Sequence, residues 1–203
     1  MLDGFTHLSG YFAPSEQVEL IKMVQKLVAQ APLFRPKMPR SGKPFSVKMT
    51  NCGELGWVSD KDGGYRYQAT HPETSRAWPR MPERFLELWA DVADCPADPE
   101  ACLINYYAAG TKLGSHVDSD EAETRAPVVS VSLGDDAVFH VGGLKRSDPK
   151  TRLVLKSGDV AILGGESRLA YHGIDRVMKA TSELIGGGGR FNLTLRRVTP
   201  LPL

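Results

Sequence analysis

The stretch Leu113-Gly114-Ser115-His116-Val117-Asp118-Ser119-Asp120-Glu121 places an imidazole, His116, two residues from a carboxylate, Asp118. On a β-strand, residues i and i+2 share a face and lie close enough to chelate one ion, whereas on a helix they diverge. His116 and Asp118 can therefore share a metal only where the chain is extended. Immediately upstream, Ala101-Cys-Leu-Ile-Asn-Tyr-Tyr-Ala-Ala-Gly110 has the β-favouring composition of a strand closed by a glycine turn. Strand, turn and extended chelating segment follow in that order. Taken alone, a His-x-Asp pair is more often a surface hydrogen bond than a metal site.

A third ligand raises the odds. Of the five histidines, His7 and His71 sit in polar, turn-rich stretches and His140 on an apolar strand, which leaves His172, in Tyr171-His172-Gly173-Ile174, as the best partner. Two imidazoles and one carboxylate on one face of an octahedron leave three positions open, the arrangement of a non-haem Fe(II) centre. Near the C-terminus, Arg190-Phe191-Asn192-Leu193-Thr194-Leu195-Arg196 alternates polar and apolar without a slip. As a strand it projects Arg190, Asn192, Thr194 and Arg196 to one face and packs Phe191, Leu193 and Leu195 on the other. If the polar face is the inside of a barrel, two guanidiniums there must meet anions, because unpaired buried charge is costly. A dicarboxylate satisfies both through bidentate pairing. The competing reading is an exposed edge strand with solvated arginines.

Several of these motifs recur in one order: Asn105-Tyr106-Tyr107-Ala108-Ala109-Gly110, His116-x-Asp118-x-Asp120-Glu121, Arg125-Ala-Pro-Val-Val-Ser-Val-Ser-Leu-Gly134, Gly142-Gly-Leu-Lys-Arg-Ser-Asp-Pro149, Gly158-Asp159, Gly164-Gly-Glu-Ser-Arg-Leu169, His172-Gly173 and Arg190-x-Asn192-x-Thr194-x-Arg196. In this order they resemble the bacterial AlkB alkylation-repair dioxygenases, from about Ser46 to Arg197. The resemblance implies a mainly β chain with flanking helices, a double-stranded β-helix (jelly roll, cupin-like) core over 101–203 and an N-terminal nucleotide-recognition lid over 35–80. It implies Fe(II) held by the catalytic residues His116, Asp118 and His172, with 2-oxoglutarate and O2 as co-substrates. Arg190 would pair with the distal carboxylate, Asn105 and Tyr107 would hydrogen-bond the co-substrate, and Arg196 would sit near its metal-side carboxylate, with Asn192 and Thr194 on the same face. The implied reaction is oxidative demethylation of lesions such as 1-methyladenine and 3-methylcytosine in single- or double-stranded DNA, or in RNA, with release of formaldehyde and succinate.

A chain of 203 residues is one domain with enough length for a real core. A net charge of +1 argues neither for nor against nucleic acid, since a positive patch can still gather on one face. Cys52, Cys95 and Cys102 are odd in number and lack metal-type spacing, which reads as reduced thiols in a cytoplasmic protein. Apolar runs fall short of a bilayer and no secretory leader is visible, so no membrane partner is expected. A monomer is expected.

Residues 1–12 alternate like a strand. Ser15 is a reasonable N-cap for a helix whose apolar face is Val18, Ile21, Val24, Leu27 and Val28, stopped by Pro32. A second helix is predicted from Pro82 to about Ala93, with Phe85, Leu88, Trp89 and Val92 on one stripe. From Ala101 onward, short apolar runs at Val128–Leu133, Ala137–Val141, Arg152–Leu155, Asp159–Leu163, Leu169–Ile174 and Phe191–Leu195 alternate with turn signals, as in a sandwich or barrel. Gly186–Gly189 reads as a flexible loop.

The segment 35–80 is rich in Pro, Gly and polar residues and reads as long and irregular. A flipped base needs an aromatic face to stack on, worth about 1–3 kcal/mol per base. Trp57 is the stacking candidate, with Tyr65 and Thr50 as backbone or base contacts, Asp120 as acceptor for an exocyclic amine and Arg146 as a further contact. Bland readings stand beside these: a core tryptophan, an exposed turn acid, a solvated arginine. Leu163 stands where the family often has Trp, and Gly63-Gly64 adds a glycine to the lid; both departures bear on substrate preference. Two other function classes are an oxygenase acting on a protein or small molecule, and a non-catalytic metal-binding cupin-like module, to which a dicarboxylate clamp would be of no use.

Overall fold

The computed structural model describes residues 3–201. In chain order the elements are β1 (Phe5–Leu8), α1 (Pro14–Gln30), β2 (Lys48–Gly53), β3 (Gly56–Asp60), β4 (Gly64–Gln68), α2 (Glu83–Val92), β5 (Ala101–Tyr107), β6 (Leu113–His116), β7 (Val128–Gly134), β8 (Ala137–Val141), β9 (Thr151–Leu155), β10 (Val160–Leu163), a 3-10 turn (Gly165–Leu169), β11 (His172–Val177) and β12 (Arg190–Arg196). A six-stranded sheet in the order β1-β10-β7-β12-β5-β2 faces a four-stranded sheet in the order β6-β11-β8-β9, and β3 with β4 forms a separate hairpin. All paired strands are antiparallel, which gives the expected jelly-roll architecture.

The alternation of β12 decides how this sheet is used. Phe191, Leu193 and Leu195 enter one apolar cluster with Leu20, Val24, Leu27, Phe85, Leu88 and Trp89, so both helices cover the back of the large sheet. Residues of opposite parity turn towards the second sheet. Far from being an edge, β12 lies between β5 and β7 and pairs with both along its whole length. Fully burying one large apolar side chain of this kind contributes about 1.5–3 kcal/mol.

Four local expectations need correction. Helix α1 begins at Pro14, so Ala13 and not Ser15 occupies the N-cap; a proline at the first helical position lacks the N–H that would go unsatisfied there, and Glu16 accepts a bond from the Ala13 N–H at 2.9 Å. Val18 is exposed, and Leu20 takes its place on the buried stripe with Ile21, Val24 and Leu27. Residues 165–169 form a 3-10 turn, so the run expected as Leu169–Ile174 is a strand only from His172. Much of the 35–80 segment is also regular: β2 joins the large sheet beside β5, and β3–β4 form a hairpin. Of the expected strand over 1–12, Phe5–Leu8 is observed, while residues 1 and 2 lie outside the described residues.

Candidate active site

A cavity of about 550 Å³ lies between the two sheets and opens beside the β3–β4 hairpin. His116 ends β6 and faces His172 at the start of β11 as its cross-strand partner, with ring centroids 4.5 Å apart. Asp118 lies just beyond β6. Its Oδ1 is 3.7 Å from His116 Nε2 and its Oδ2 is 3.6 Å from His172 Nε2. One ligand atom from each residue lies within 4.8 Å of the others. Both rings are oriented by their far nitrogens: His116 Nδ1 reaches the Gly114 carbonyl at 2.9 Å and His172 Nδ1 the Ala170 carbonyl at 3.0 Å. A carbonyl only accepts, so each Nδ1 carries the proton and each Nε2 keeps its lone pair for a metal.

The electrostatics agree with this geometry. Burial pushes the His172 pKa down to about 4, against the pull of Asp118, which keeps the ring neutral and able to ligate at pH 7. Burial also works against the Asp118 charge, but Arg196, His172 and His116 outweigh it and hold the carboxyl far below the usual range. The donor set, two imidazoles and a carboxylate with one side left open, fits Fe(II).

Arg190, Asn192, Thr194 and Arg196 all line the cavity, as do Asn105 and Tyr107 on β5. Arg190 is buried, and its Nη2 donates to Ser132 Oγ at 2.9 Å while Nε and Nη1 have no partner. Its guanidinium lies 5.4 Å from the Tyr107 ring centroid, and burial pushes the Tyr107 pKa up to about 12. Asn105 Oδ1 and Arg196 Nε are likewise buried without a partner. Buried polar atoms are seldom left unpaired. These donors and the Asn105 oxygen converge on the same space as the His-Asp-His group, and a small dicarboxylate such as 2-oxoglutarate answers the unmatched guanidinium. Asn192 Nδ2 is occupied with Ser130 Oγ and the Val131 carbonyl, and Thr194 Oγ1 with Asn192 Oδ1, so these two stiffen the wall.

Glu121, Tyr67 and Arg168 form a network to which sequence reasoning assigned no role. Arg196 bonds Asp118 Oδ2 at 2.8 Å and Glu121 Oε1 at 2.9 Å, and the Tyr67 hydroxyl at 3.0 Å. Tyr67 also donates to Glu121, and Arg168 bonds Glu121 at 3.1 Å and the Asp118 carbonyl at 2.7 Å. Glu121 and Arg168 were visible within the recurring motifs. Tyr67 had only the aromatic spacing of Tyr65-Arg66-Tyr67 to single it out.

On the hairpin side, Trp57 stacks on Tyr65 at 5.5 Å and donates from Nε1 to Asp120 Oδ2 at 2.7 Å; all three line the cavity. Arg146 also lines the cavity, its guanidinium carbon 5.3 Å from the Tyr171 ring centroid. Thr50 is a correction. It is fully buried on β2, its hydroxyl donates to the Ala31 carbonyl at 2.8 Å, and strand parity sends its neighbour Met49 to the cavity instead. Leu163 and Ala161 on β10 form part of the apolar wall.

Outside the cavity, the back of the small sheet carries a second set of bonds. His140 on β8 reaches across Gly173 to Ser115 Oγ at 3.2 Å, and its other nitrogen meets Asp175 at 2.8 Å, which in turn binds Arg152 at 2.7 Å. A Cβ at Gly173 would lie 2.6 Å from the Leu113 carbonyl and 3.0 Å from His140, so glycine opens this path. The staple ties β6, a four-residue edge strand with an irregular register, to the strand two places away. His140→Leu is expected to weaken Fe(II) affinity about ten- to a hundredfold, with His140→Gln recovering part of it, as for other groups that support metal ligands. An anaerobic Fe(II) titration giving the wild-type constant for His140→Leu would refute this.

Three comparisons place the chain among known proteins. Residues 4–196 match the model of the 2OG-Fe(II) oxygenase superfamily. The Alpha-ketoglutarate-dependent dioxygenase AlkB homolog of Caulobacter vibrioides is 49% identical over 197 residues, covering 97% of this chain and 89% of the relative. The Alpha-ketoglutarate-dependent dioxygenase AlkB of Escherichia coli is 46% identical over 190 residues, covering 92% and 87%. The solved structure of OsALKBH1 superposes with a TM-score of 0.82 at 31% identity, covering 97% of this chain and 98% of that one. Among the described residues, no helix is long and apolar enough to cross a membrane.

Proposed function

This chain belongs to the 2OG-Fe(II) oxygenase superfamily, among its AlkB dioxygenases, and from that premise we propose that it repairs alkylated DNA, single- or double-stranded, or RNA, by removing N-alkyl groups from bases such as 1-methyladenine and 3-methylcytosine. It is an oxidative dealkylase that uses Fe(II), 2-oxoglutarate and O2. The carrying observation for the base is the Trp57–Tyr65 stack, which opens onto the cavity of the His-Asp-His group with Asp120 at its edge.

When bound, iron and its co-substrates supply hydroxylation of the N-alkyl carbon, and the product separates into the restored base and formaldehyde while succinate and carbon dioxide leave. His116, Asp118 and His172 hold the metal. Arg190 binds the distal carboxylate of 2-oxoglutarate, and Asn105 and Tyr107 line the same space. Arg196 fixes the angle of Asp118 and keeps it ionised. Trp57 and Tyr65 offer a π-face to the base, Asp120 accepts from an exocyclic amine once it releases the indole, and Arg146 contacts the strand. The lid is 35–80 and the oxygenase core 101–203, in one monomeric domain. Free Cys52, Cys95 and Cys102 suit the reducing cytoplasm.

Formaldehyde release from an oligonucleotide carrying 1-methyladenine, by anaerobically purified protein supplied with Fe(II), 2-oxoglutarate and O2, tests this reading. Stoichiometric formaldehyde and succinate are expected. Succinate without formaldehyde from any methylated oligonucleotide would reject the DNA substrate in favour of a protein or small molecule.

A further inference from the structure

Asp118 sits on a stretch of chain without regular structure. Between β6 and β7, residues 117–127 form neither helix nor strand, yet Asp118, Glu121 and Glu123 are all buried there. Such a segment has no ladder of its own, so its bonds to other parts of the chain decide where its side chains stand. For Asp118 that placement matters, because its carboxylate has to meet two histidines carried on strands.

The bonds lead to residues 197–201, which follow β12. The Ala122 and Glu123 N–H groups both donate to the Val198 carbonyl, at 2.9 and 3.2 Å. The Leu201 N–H donates to Glu123 Oε2 at 2.9 Å, and Arg125 closes on the same carboxylate with Nε at 2.9 Å and Nη2 at 2.6 Å. At the other end, Glu100, one residue ahead of β5, takes the Val198 and Thr199 N–H groups on Oε2 at 2.8 and 2.7 Å and the Thr199 hydroxyl on Oε1 at 2.6 Å. Residues 197–201 are therefore a strap drawn between two buried carboxylates. Hydrogen bonds to an ionised acceptor are roughly twice as strong as neutral ones.

The strap prolongs the strand that already grips the metal segment. Arg196 on β12 reaches Asp118 at 2.8 Å and Glu121 at 2.9 Å, and Val198, two residues on, takes Ala122 and Glu123. Positions 118, 121, 122 and 123 are thus fastened in order to one line of chain. Arg196 holds the Asp118 carboxylate, and the strap holds the backbone from which it projects. Neither Glu100 nor Glu123 lines the cavity, so any effect they have on the metal passes through Asp118.

We propose that Glu123 is a positioning residue for the metal: with Glu100 it anchors the 197–201 strap, which holds 117–127 where Asp118 can share one ion with His116 and His172. This rests on the His-Asp-His metal site and not on the identity of the substrate.

The test is Mn(II) binding to the full chain, followed by loss of the free-ion electron paramagnetic resonance signal, for wild type, Glu123→Ala, Glu123→Gln, Glu100→Ala and Asp118→Ala. Leu20→Ala, a truncation in the cluster behind the large sheet, is the control for lost stability. All are measured well below their melting temperatures. Glu123→Ala should bind Mn(II) about tenfold more weakly, the lower end of what groups supporting a metal ligand contribute. Glu100→Ala should act in the same direction, and Glu123→Gln, which keeps an oxygen for the Leu201 N–H, should recover most of the loss. Leu20→Ala should melt lower and keep the wild-type constant. Wild-type affinity in Glu123→Ala, while Asp118→Ala fails to bind, overturns the positioning role and leaves the metal site standing. Equal losses in Leu20→Ala and Glu123→Ala overturn it too, since instability alone then accounts for both. Wild-type binding in Asp118→Ala overturns the metal site and the role of the strap together.

Discussion

Arg190→Met should make the protein more stable and leave it unable to use 2-oxoglutarate. In the free protein, the Arg190 guanidinium is buried with one hydrogen bond, to Ser132, and two nitrogens unmatched. Burial lowers its pKa, the direction expected of a cation held away from water. Replacing a poorly matched buried charge by an apolar side chain of similar length commonly stabilises a fold by about 1–4 kcal/mol. The same change deletes the partner of a carboxylate, and loss of one member of a buried hydrogen-bonded charge pair costs about 2–5 kcal/mol, on the order of thirty- to several-thousandfold in affinity. Thermal melts with and without 2-oxoglutarate check both halves. Wild-type protein should melt higher when the co-substrate is added, by mass action, and Arg190→Met should start higher and not respond. A variant that melts lower and still responds would exclude the clamp.

Asp118→Ala should abolish stoichiometric iron binding, with affinity falling well beyond the ten- to hundredfold typical of groups that merely support a ligand. It should also destabilise the protein, because Arg196 Nη2 loses the carboxylate it touches at 2.8 Å. The cost is about 1–3 kcal/mol for a stranded buried donor. Glu121 and Tyr67 still bond Arg196 Nη1, so the arginine stays anchored and the fold should survive. Asp118→Asn keeps the shape and isolates the loss of charge. Iron content after anaerobic loading, read beside the melting temperature, separates the two effects. Tight stoichiometric iron in Asp118→Ala would remove Asp118 from the ligand set.

The sequence declared what repeats locally and concealed what is made between distant segments. Period-two alternation over 190–196 placed both arginines on one face, because a strand's parity is a property of neighbours. His116 and Asp118 were legible for the same reason. His172 followed by elimination among five histidines and the family's motif order. The Tyr67–Glu121 bond joins residues 54 positions apart, and a glutamate after two aspartates in a polar stretch carries no local mark of burial. Thr50 was misread because its stretch lacks an obvious alternation; pairing with β5 buries it, and that pairing is not encoded in the stretch itself. Helix α1 was found, but its N-cap was placed two residues late, since an N-cap side chain was expected where proline made one unnecessary.

The double duty of β12 sets how this enzyme can drift. Phe191, Leu193 and Leu195 answer to volume, so substitutions there can be traded against changes in the helices behind them. Arg190, Asn192, Thr194 and Arg196 answer to chemistry, and no neighbour can compensate for them. The strand thus reads as two interleaved texts with unequal freedom to vary, and inserting one residue would exchange them. Insertions belong in the loop ahead of it, where Gly186 and Gly187 have open space around their Cα atoms. Gly189 closes that loop: it is bound to Asp135 through both its N–H and its carbonyl, and it fixes the frame in which both texts are read.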